Sequence, residues 1–344
     1  MSVPADVRVG VLSFAHYHAN FWSEALVARA ALAGIWDEDE ARGREAAVRF
    51  GVEFHADIDS LLTRCTGVAV CSETRSHREL IERAARRGLA VLCEKPLGTS
   101  YTDAKAIAKI VRASGIAFMQ SFPKRFDPVS HRLREAVQTR ELGQLTLVRI
   151  RHGHFYGLQP DFKDRWYVDP VRAGGGALLD EGVHGADLLA WLFGLPAGVT
   201  ARISDAALRL PVEDLGIAIF DFASGLVAEL TASFSFAAAD TSIEMYGTRG
   251  TLLVAGVDLA SRDITKAQFV RVWHTDDAHR AWHTEPLVPR FKQGQFHQQN
   301  ALAFVDSLAA GAPPPVSLDD GLRAMQMIDA AYSAARTGQR QAIR

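Results

Sequence analysis

The chain has 344 residues, 48% hydrophobic and 23% charged, with a formal net charge of −2 and a sequence pI near 6.6. That length supports two domains with separate cores, and the near-neutral balance gives no electrostatic basis for binding nucleic acid or an anionic membrane. No run approaches the roughly 18 apolar residues of a spanning helix, the Met-Ser-Val-Pro-Ala-Asp start lacks the pattern of a signal peptide, and three cysteines (Cys65, Cys71, Cys93) without zinc or disulfide spacing point to the cytoplasm.

Along residues 1–122, short apolar runs alternate with longer amphipathic ones. Strands are predicted at 7–12, 32–36, 67–71, 90–93 and 117–120, and helices at 21–32, 40–50, 75–87 and 101–113. Strands between helices make βαβ units and a parallel sheet, so this half is expected to be a doubly wound α/β Rossmann domain. From 123 to 344 the character changes. Strands are predicted at 145–154, 199–204, 216–222, 226–234, 242–246, 251–254 and 269–273 with no helices interleaved, and Ser224-Gly225 marks a hairpin turn. This second α/β domain should carry a large, mostly antiparallel open sheet. Helices at 296–309 and 318–336 close the chain, and the last is expected to pack on the first domain.

The turn after the first strand is Ser13-Phe14-Ala15-His16-Tyr17-His18. A strand, a tight turn and a helix N-terminus make a phosphate site from outward-pointing N–H groups. The glycines of the dinucleotide fingerprint are absent here, with Ser13, Ala15 and His18 in their places. Two readings stay open: small residues still admit a pyrophosphate, or the loop is shortened and His18-Ala19 starts the helix. Asp37 ends the second strand, 24 residues after Ser13, where an acid accepts the adenosine ribose hydroxyls and repels a 2′-phosphate. That favours NAD over NADP. The other reading of Asp37 is a cap for the helix that follows.

Two constellations carry chemistry. Glu94-Lys95-Pro96 follows the strand at 90–93, which sets Lys95 at the mouth of a parallel sheet, and Pro96 restricts its backbone. Further on, Gly174-Gly175-Gly176 leads into a helix predicted over 180–193. Spacings of four and three place Asp180, His184 and Asp187 on one face, and a carboxylate one turn away can orient a histidine and raise its pKa. Histidines also alternate at His16/His18 and His152/His154. Alternation shares a face, yet no carboxylate or thiolate pattern completes a metal site, so no metal is assigned.

With these motifs the chain resembles the Gfo/Idh/MocA family, named for glucose-fructose oxidoreductase, inositol dehydrogenase and a rhizopine-catabolism protein. The matches are Glu94-Lys95-Pro96, the run from Gly174 through Asp180 to His184, Phe122 with Arg125-Phe126-Asp127-Pro128, Gly247-Thr248-Arg249-Gly250-Thr251, and His77. They span nearly the whole length. The chain departs from the family at the glycine fingerprint and at Ser72-Glu73-Thr74, where the family has Thr-Pro.

The resemblance implies an NAD-dependent oxidoreductase acting on a hydroxyl carbon of a sugar, polyol or sugar derivative, built as a homodimer or homotetramer. It implies that Lys95 binds the substrate hydroxyl near the nicotinamide, that His184 is the acid/base, and that Asp180 places substrate and histidine. Cofactor contacts are expected from Ser13, Phe14, Ala15, His16, Asp37, Ser72, Glu73, His77, Glu94, Lys95 and Gln120. Substrate contacts are expected from Lys95, Arg125, His152, His154, Tyr156, Trp166, Asp180 and His184. Two alternatives share these residues: a redox glycosidase that cleaves by oxidation and elimination, and a non-catalytic regulator that binds NAD or sugar.

Overall fold

Apolar runs of three to five residues become strands, buried on both faces except at the edge strand Leu32–Trp36, as a parallel sheet covered by helices requires. In chain order these are β1 (Val9–Leu12), α1 (His18–Ala28), β2 (Leu32–Trp36), α2 (Glu40–Phe50), α3 (Ile58–Leu62), β3 (Gly67–Val70), α4 (His77–Arg86), β4 (Ala90–Cys93), α5 (Tyr101–Ser114) and β5 (Phe118–Gln120). The structure is a computed structural model that describes residues 6–237, 241–257, 270–287 and 294–344. The Met-Ser-Val-Pro-Ala-Asp start, read above as lacking a signal-peptide pattern, falls largely on residues outside these, as does Phe269 of the expected strand at 269–273.

The five strands pair in parallel in the order β2-β1-β3-β4-β5. In such an order the crevice for ligands opens beyond the carboxyl ends of β1 and β3. Helix ends follow the sequence chemistry. Asp39 caps α2 by accepting from Arg42 N, Ser100 caps α5 by accepting from Asp103 N, and Gly51 and Gly115 close the two helices in the left-handed region. Several bounds differ from expectation by a residue or more. The first helix starts at His18 and ends at Ala28, since Ala30 turns the chain at positive φ toward β2. The helix foreseen at 75–87 opens with a 3₁₀ turn at Thr74–Ser76. Helix α3 was not foreseen; Leu61 and Cys65 press on Gly10, where a Cβ would lie 2.8 Å from Cys65 Sγ.

The second half continues with α6 (Pro128–Gln138), β6 (Leu145–Gly153), α7 (Pro170–Ala173), α8 (Ala177–Asp180), α9 (Gly182–Phe193), β7 (Gly198–Ser204), β8 (Leu215–Asp221), β9 (Val227–Ser233), β10 (Thr241–Gly247), β11 (Gly250–Val257), β12 (Val270–His274) and β13 (His283–Glu285). Then come α10 (Gln295–Ala310), α11 (Leu318–Thr337) and β14 (Gln341–Ala342). Nine strands form one sheet in the order β13-β12-β11-β10-β6-β9-β8-β7-β14, antiparallel throughout except for β6 beside β9. The foreseen hairpin joins β8 to β9, with Gly225 at positive φ.

One face of this sheet is buried with period two: Val148, Ile150 and His152 on β6, Ala228, Leu230 and Ala232 on β9, Ala218 and Phe220 on β8. Helices α8 and α9 pack there. The chain divides into two compact units, residues 1–123 with 294–322, and residues 124–293 with 323–344. Helix α10 thus lies in the unit of the parallel sheet, where it packs on α1.

Candidate functional site

In the first unit the carboxyl edge of the parallel sheet gathers most of the expected cofactor residues. Ser13 takes a positive φ of 75°, the strain a fingerprint glycine would avoid, and its N–H donates to Trp36 O at 2.7 Å. The amides of the turn point inward rather than outward. Phe14 N donates to Asp37 Oδ2 (2.7 Å), Ala15 N to Ser13 Oγ (3.1 Å), His16 N to Cys71 O (3.0 Å) and His18 N to His16 Nδ1 (3.3 Å). The shortened-loop alternative is the one the structure adopts, and the outward-pointing phosphate cradle is replaced by a self-bonded turn.

Asp37 is buried and accepts from four donors: Phe14 N, Asp39 N, and Arg42 through Nε at 2.9 Å and Nη2 at 2.6 Å. It does not cap α2; Asp39 does. Glu73, the acid in place of the family's proline, is buried and paired with Arg75 Nε at 3.1 Å. Ser72 Oγ donates to the carbonyl of Glu73.

Lys95 is buried just past β4, and Glu94 beside it is fully buried. One Glu94 oxygen lies 3.2 Å from His18 Nδ1, and the other, Oε2, has no hydrogen-bond partner among the described residues. The same is true of Gln120 Oε1 and His77 Nε2. Buried polar atoms are ordinarily bonded, so three orphans at the ends of β4 and β5 and the start of α4 mark a place built for a polar ligand. Acceptors and an imidazole there fit the ribose hydroxyls and carboxamide of a nicotinamide nucleotide.

His297, from α10, lies with its ring 3.7 Å from that of His18, and the His16 ring is 4.1 Å away from His18. Burial first, and then neighbouring positive charge including Lys95, holds all three histidines well below the usual imidazole pKa. Nothing in the sequence joins His297 to His18; only the fold does. Donor atoms of His16, His18 and Glu94 lie within 4.8 Å of one another, so the structure supplies the carboxylate the sequence spacing lacked. Yet His16 Nδ1 accepts from an amide, which leaves its hydrogen on Nε2. A metal-bound histidine instead donates through its second nitrogen, and the cluster reads as a hydrogen-bonded one.

In the second unit the expected helix over 180–193 is broken. Helix α8 ends at Asp180, α9 starts at Gly182, and Glu181 stands between them. Asp180 therefore sits on a different helix from His184 and Asp187, not on a shared stripe. Asp187 is gripped by Arg125 through Nε at 2.9 Å and Nη2 at 2.6 Å, both side chains buried. Arg125, expected on substrate, is thereby held in an ion pair and lies 5.2 Å over the Trp191 ring.

His184 is buried, and the ring of His152 on β6 meets it edge to face at 5.1 Å. His152 Nδ1 lies 3.1 Å from Thr241 Oγ1 and its Nε2 3.1 Å from Glu181 Oε2. Glu181 Oε1 faces His154 Nε2 at 3.8 Å. His154, Asp180 and Glu181 are a second cluster of metal-ligand type, but His154 Nδ1 accepts from Tyr156 N at 3.2 Å, so its Nε2 carries hydrogen. The His154 ring stacks on Phe234 at 5.1 Å, Tyr156 packs on the cluster around Phe162 and Phe234, and Trp166 is buried against Tyr167 at 4.1 Å. Sequence reasoning missed Glu181, although a charged residue inside an apolar helical run was its signal.

Residues 7–122 match the family described as an oxidoreductase family with an NAD-binding Rossmann fold, and residues 130–253 match the GFO/IDH/MocA C-terminal domain. The D-xylose 1-dehydrogenase (NADP(+)) 2 of Haloferax volcanii is 26% identical over 331 residues, 89% of this chain and 90% of that protein. The inositol 2-dehydrogenase of Rhizobium meliloti is 28% identical over 304 residues, 85% and 82% of the two chains. In fold, the chain is similar to levoglucosan dehydrogenase solved with NADH and L-sorbose, with a TM-score of 0.85 at 21% identity over 98% and 99% of the chains. Among the described residues no helix is long and apolar enough to cross a membrane. With both of its halves matched, the chain belongs to the Gfo/Idh/MocA family of oxidoreductases and carries an NAD-binding Rossmann domain.

Proposed function

We propose that this protein transfers a hydride between NAD and a hydroxyl carbon of a sugar, polyol or sugar derivative, with Lys95 and His184 as reacting groups. The observation that carries this is buried Lys95 at the carboxyl end of β4, beside orphaned Glu94 Oε2. Bound NAD supplies the hydride acceptor. The Lys95 ammonium donates to the substrate oxygen and stabilises negative charge developing there. His184 takes the hydroxyl proton, and returns it in the reverse direction. Asp180 helps place substrate and histidine.

Ser13, Phe14, Ala15, His16, Ser72, Glu73, His77, Glu94 and Gln120 form the cofactor side, and Asp37 favours NAD by repelling a 2′-phosphate. His154, Tyr156 and Trp166 present ring faces to the substrate, and Arg125 contributes by fixing Asp187. The chain assembles as a homodimer or homotetramer. Its free cysteines, all buried, suit the cytoplasm; burial lifts the Cys71 and Cys93 thiols well above their usual pKa.

The test is a screen with NAD or NADP against myo-inositol, D-xylose, D-apiose and aryl glycosides, following NADH absorbance. Lys95→Ala and His184→Ala should each lower kcat by about 10²-fold or more, with cofactor affinity, read by NADH fluorescence, retained in His184→Ala. Turnover near the unsubstituted rate in either variant refutes the assignment. Release of aglycone with catalytic NAD and no NADH build-up identifies a redox glycosidase instead.

A further inference from the structure

The mechanism leaves a buried charge unused. Glu181 occupies the break between α8 and α9, and its carboxylate is turned onto β6 rather than onto solvent. A continuous helix would hold it on the same winding as its neighbours. From the break its carboxylate lies 3.1 Å from Nε2 of His152 on β6 and 3.8 Å from Nε2 of His154 just past that strand.

Hydrogen positions follow from the partners. With Nδ1 of His154 accepting from Tyr156 N, the Nε2 of that ring carries the hydrogen and lies 3.8 Å from Glu181 Oε1. His152 spans Thr241 Oγ1 and Glu181 Oε2, both at 3.1 Å, so its ring cannot turn without losing both. The pinned ring then meets His184 edge to face at 83°. Helix α9 is set at a fixed height over the sheet, because a Cβ on Gly185 would lie 2.3 Å from Leu230 Cδ1. His184 N also donates to the carbonyl of Glu181 at 3.2 Å.

We infer that Glu181, acting with His152, is a positioning residue for His184: it fixes the imidazole's attitude and supplies the negative charge that favours its protonated form. The inference rests on the reading of His184 as the acid/base. Asp180, which ends α8, is the other carboxylate of the His154 cluster, and E181Q leaves it in place. His152 comes from β6 and His154 follows its last residue, and Asp187 on α9 is paired with Arg125. Helix α6 brings His131, which lies against Trp191. The inner face of β9 offers only Ala228, Leu230 and Ala232.

The sign follows directly. A carboxylate near an imidazole raises its pKa, so removing the charge lowers it. The experiment is an NMR titration of histidine side chains in the full-length protein, comparing the unsubstituted chain with E181Q, E181D and H152Q. The His184 midpoint should fall by about one unit in E181Q and recover in large part in E181D. In the hydride-transfer assay E181Q should lose about ten- to a hundredfold in kcat, with KM changed less than about threefold and the acidic limb of the kcat profile moved to lower pH. H152Q keeps the Glu181 charge but frees the ring, so it should lower kcat while leaving the midpoint closer to that of the unsubstituted chain; it also serves if E181Q does not fold. An identical His184 titration in E181Q and the unsubstituted protein, including none in both, overturns the inference. Undiminished turnover in His184→Ala would overturn the acid/base reading instead, and the titration separates the two failures.

Discussion

Asp37 shows how the place of a residue can be read from sequence while its partners cannot. Its place at the end of β2 is legible, because acid after a buried strand is a pattern. Arg42 is not legible as its partner, since it reads as one more charge on a charged helix. In the structure Arg42 closes on Asp37 with two bonds and reaches Ser13 Oγ at 3.4 Å. In the proposed function the acid is the ribose acceptor, and in the structure it holds down a guanidinium suited to phosphate. Replacing it should reverse preference. In Asp37→Ser Arg42 loses both bonds to Asp37 and, of its bonded carboxylates, keeps only the half-exposed Glu38 at 3.1 Å, so the ratio of NADP to NAD affinity should rise by about tenfold or more, measured by NADPH and NADH fluorescence titration. A ratio that stays put would show that Arg42 does not reach the 2′ position. Lys95 and His184 were legible for a simpler reason, their place in short motifs. The Arg125 to Asp187 pair was not, as 62 residues separate its partners.

At the scale of elements, caps and periodicity carried most of the fold. Ser100 with Gly115 and Asp39 with Gly51 bound two helices closely, and alternation located the strands of the large sheet. What local pattern could not show was a helix interrupted from outside. The segment Ala177–Phe193 is apolar enough to run on, yet it breaks at Glu181 because tertiary partners claim that carboxylate. The glycines ahead of it answer to tertiary contacts too. Gly176 packs against the strand lead-in, where a Cβ would lie 2.1 Å from Glu213 O, and its N–H donates to the Glu213 carboxylate at 3.0 Å. Glu213 is itself buried, accepts from Leu178 N and Tyr332 Oη, and has its pKa raised by that burial. Backbone cannot yield as a flexible side chain does. Gly176→Ala should therefore cost at least about 2 kcal/mol, seen as a fall of roughly 4–8 °C in melting temperature. A melting temperature within a degree of the unsubstituted protein would mean that the segment shifts freely.

At the scale of the whole molecule, the nine-stranded sheet has two faces of different character, and the difference bears on assembly. Helices α8 and α9 cover one. The other follows from register: Tyr246, Leu147 and Val227 stand in one cross-strand row, and Glu244, Arg149, Glu229 and Ile219 in the next. Arg149 pairs with both flanking carboxylates, at 3.2 Å and 3.4 Å, so the charges on this face largely satisfy one another. That leaves apolar side chains among neutralised pairs, with Ile219 45% and Val227 38% exposed. Scattered apolar residues need no explanation, but a row of them on a broad, self-neutralised face is what an isologous contact between copies uses. The parallel and antiparallel halves were both legible in the sequence, whereas this face was not, because it depends on which strands become neighbours. Ile219 lies mid-strand on β8, opposite Thr200 on β7 and Glu229 on β9. Ile219→Arg sets a second guanidinium beside Glu229, which Arg149 already holds, and so adds net positive charge at the centre of the face without touching the buried side; the fold should survive while the contact fails. Light scattering coupled to size exclusion should give a dimer or tetramer mass for the unsubstituted chain and a monomer mass for the variant, with matching far-ultraviolet circular dichroism. A monomer mass for both would remove the open face as an assembly surface, and an oligomer that survives the substitution would move the contact elsewhere on the molecule.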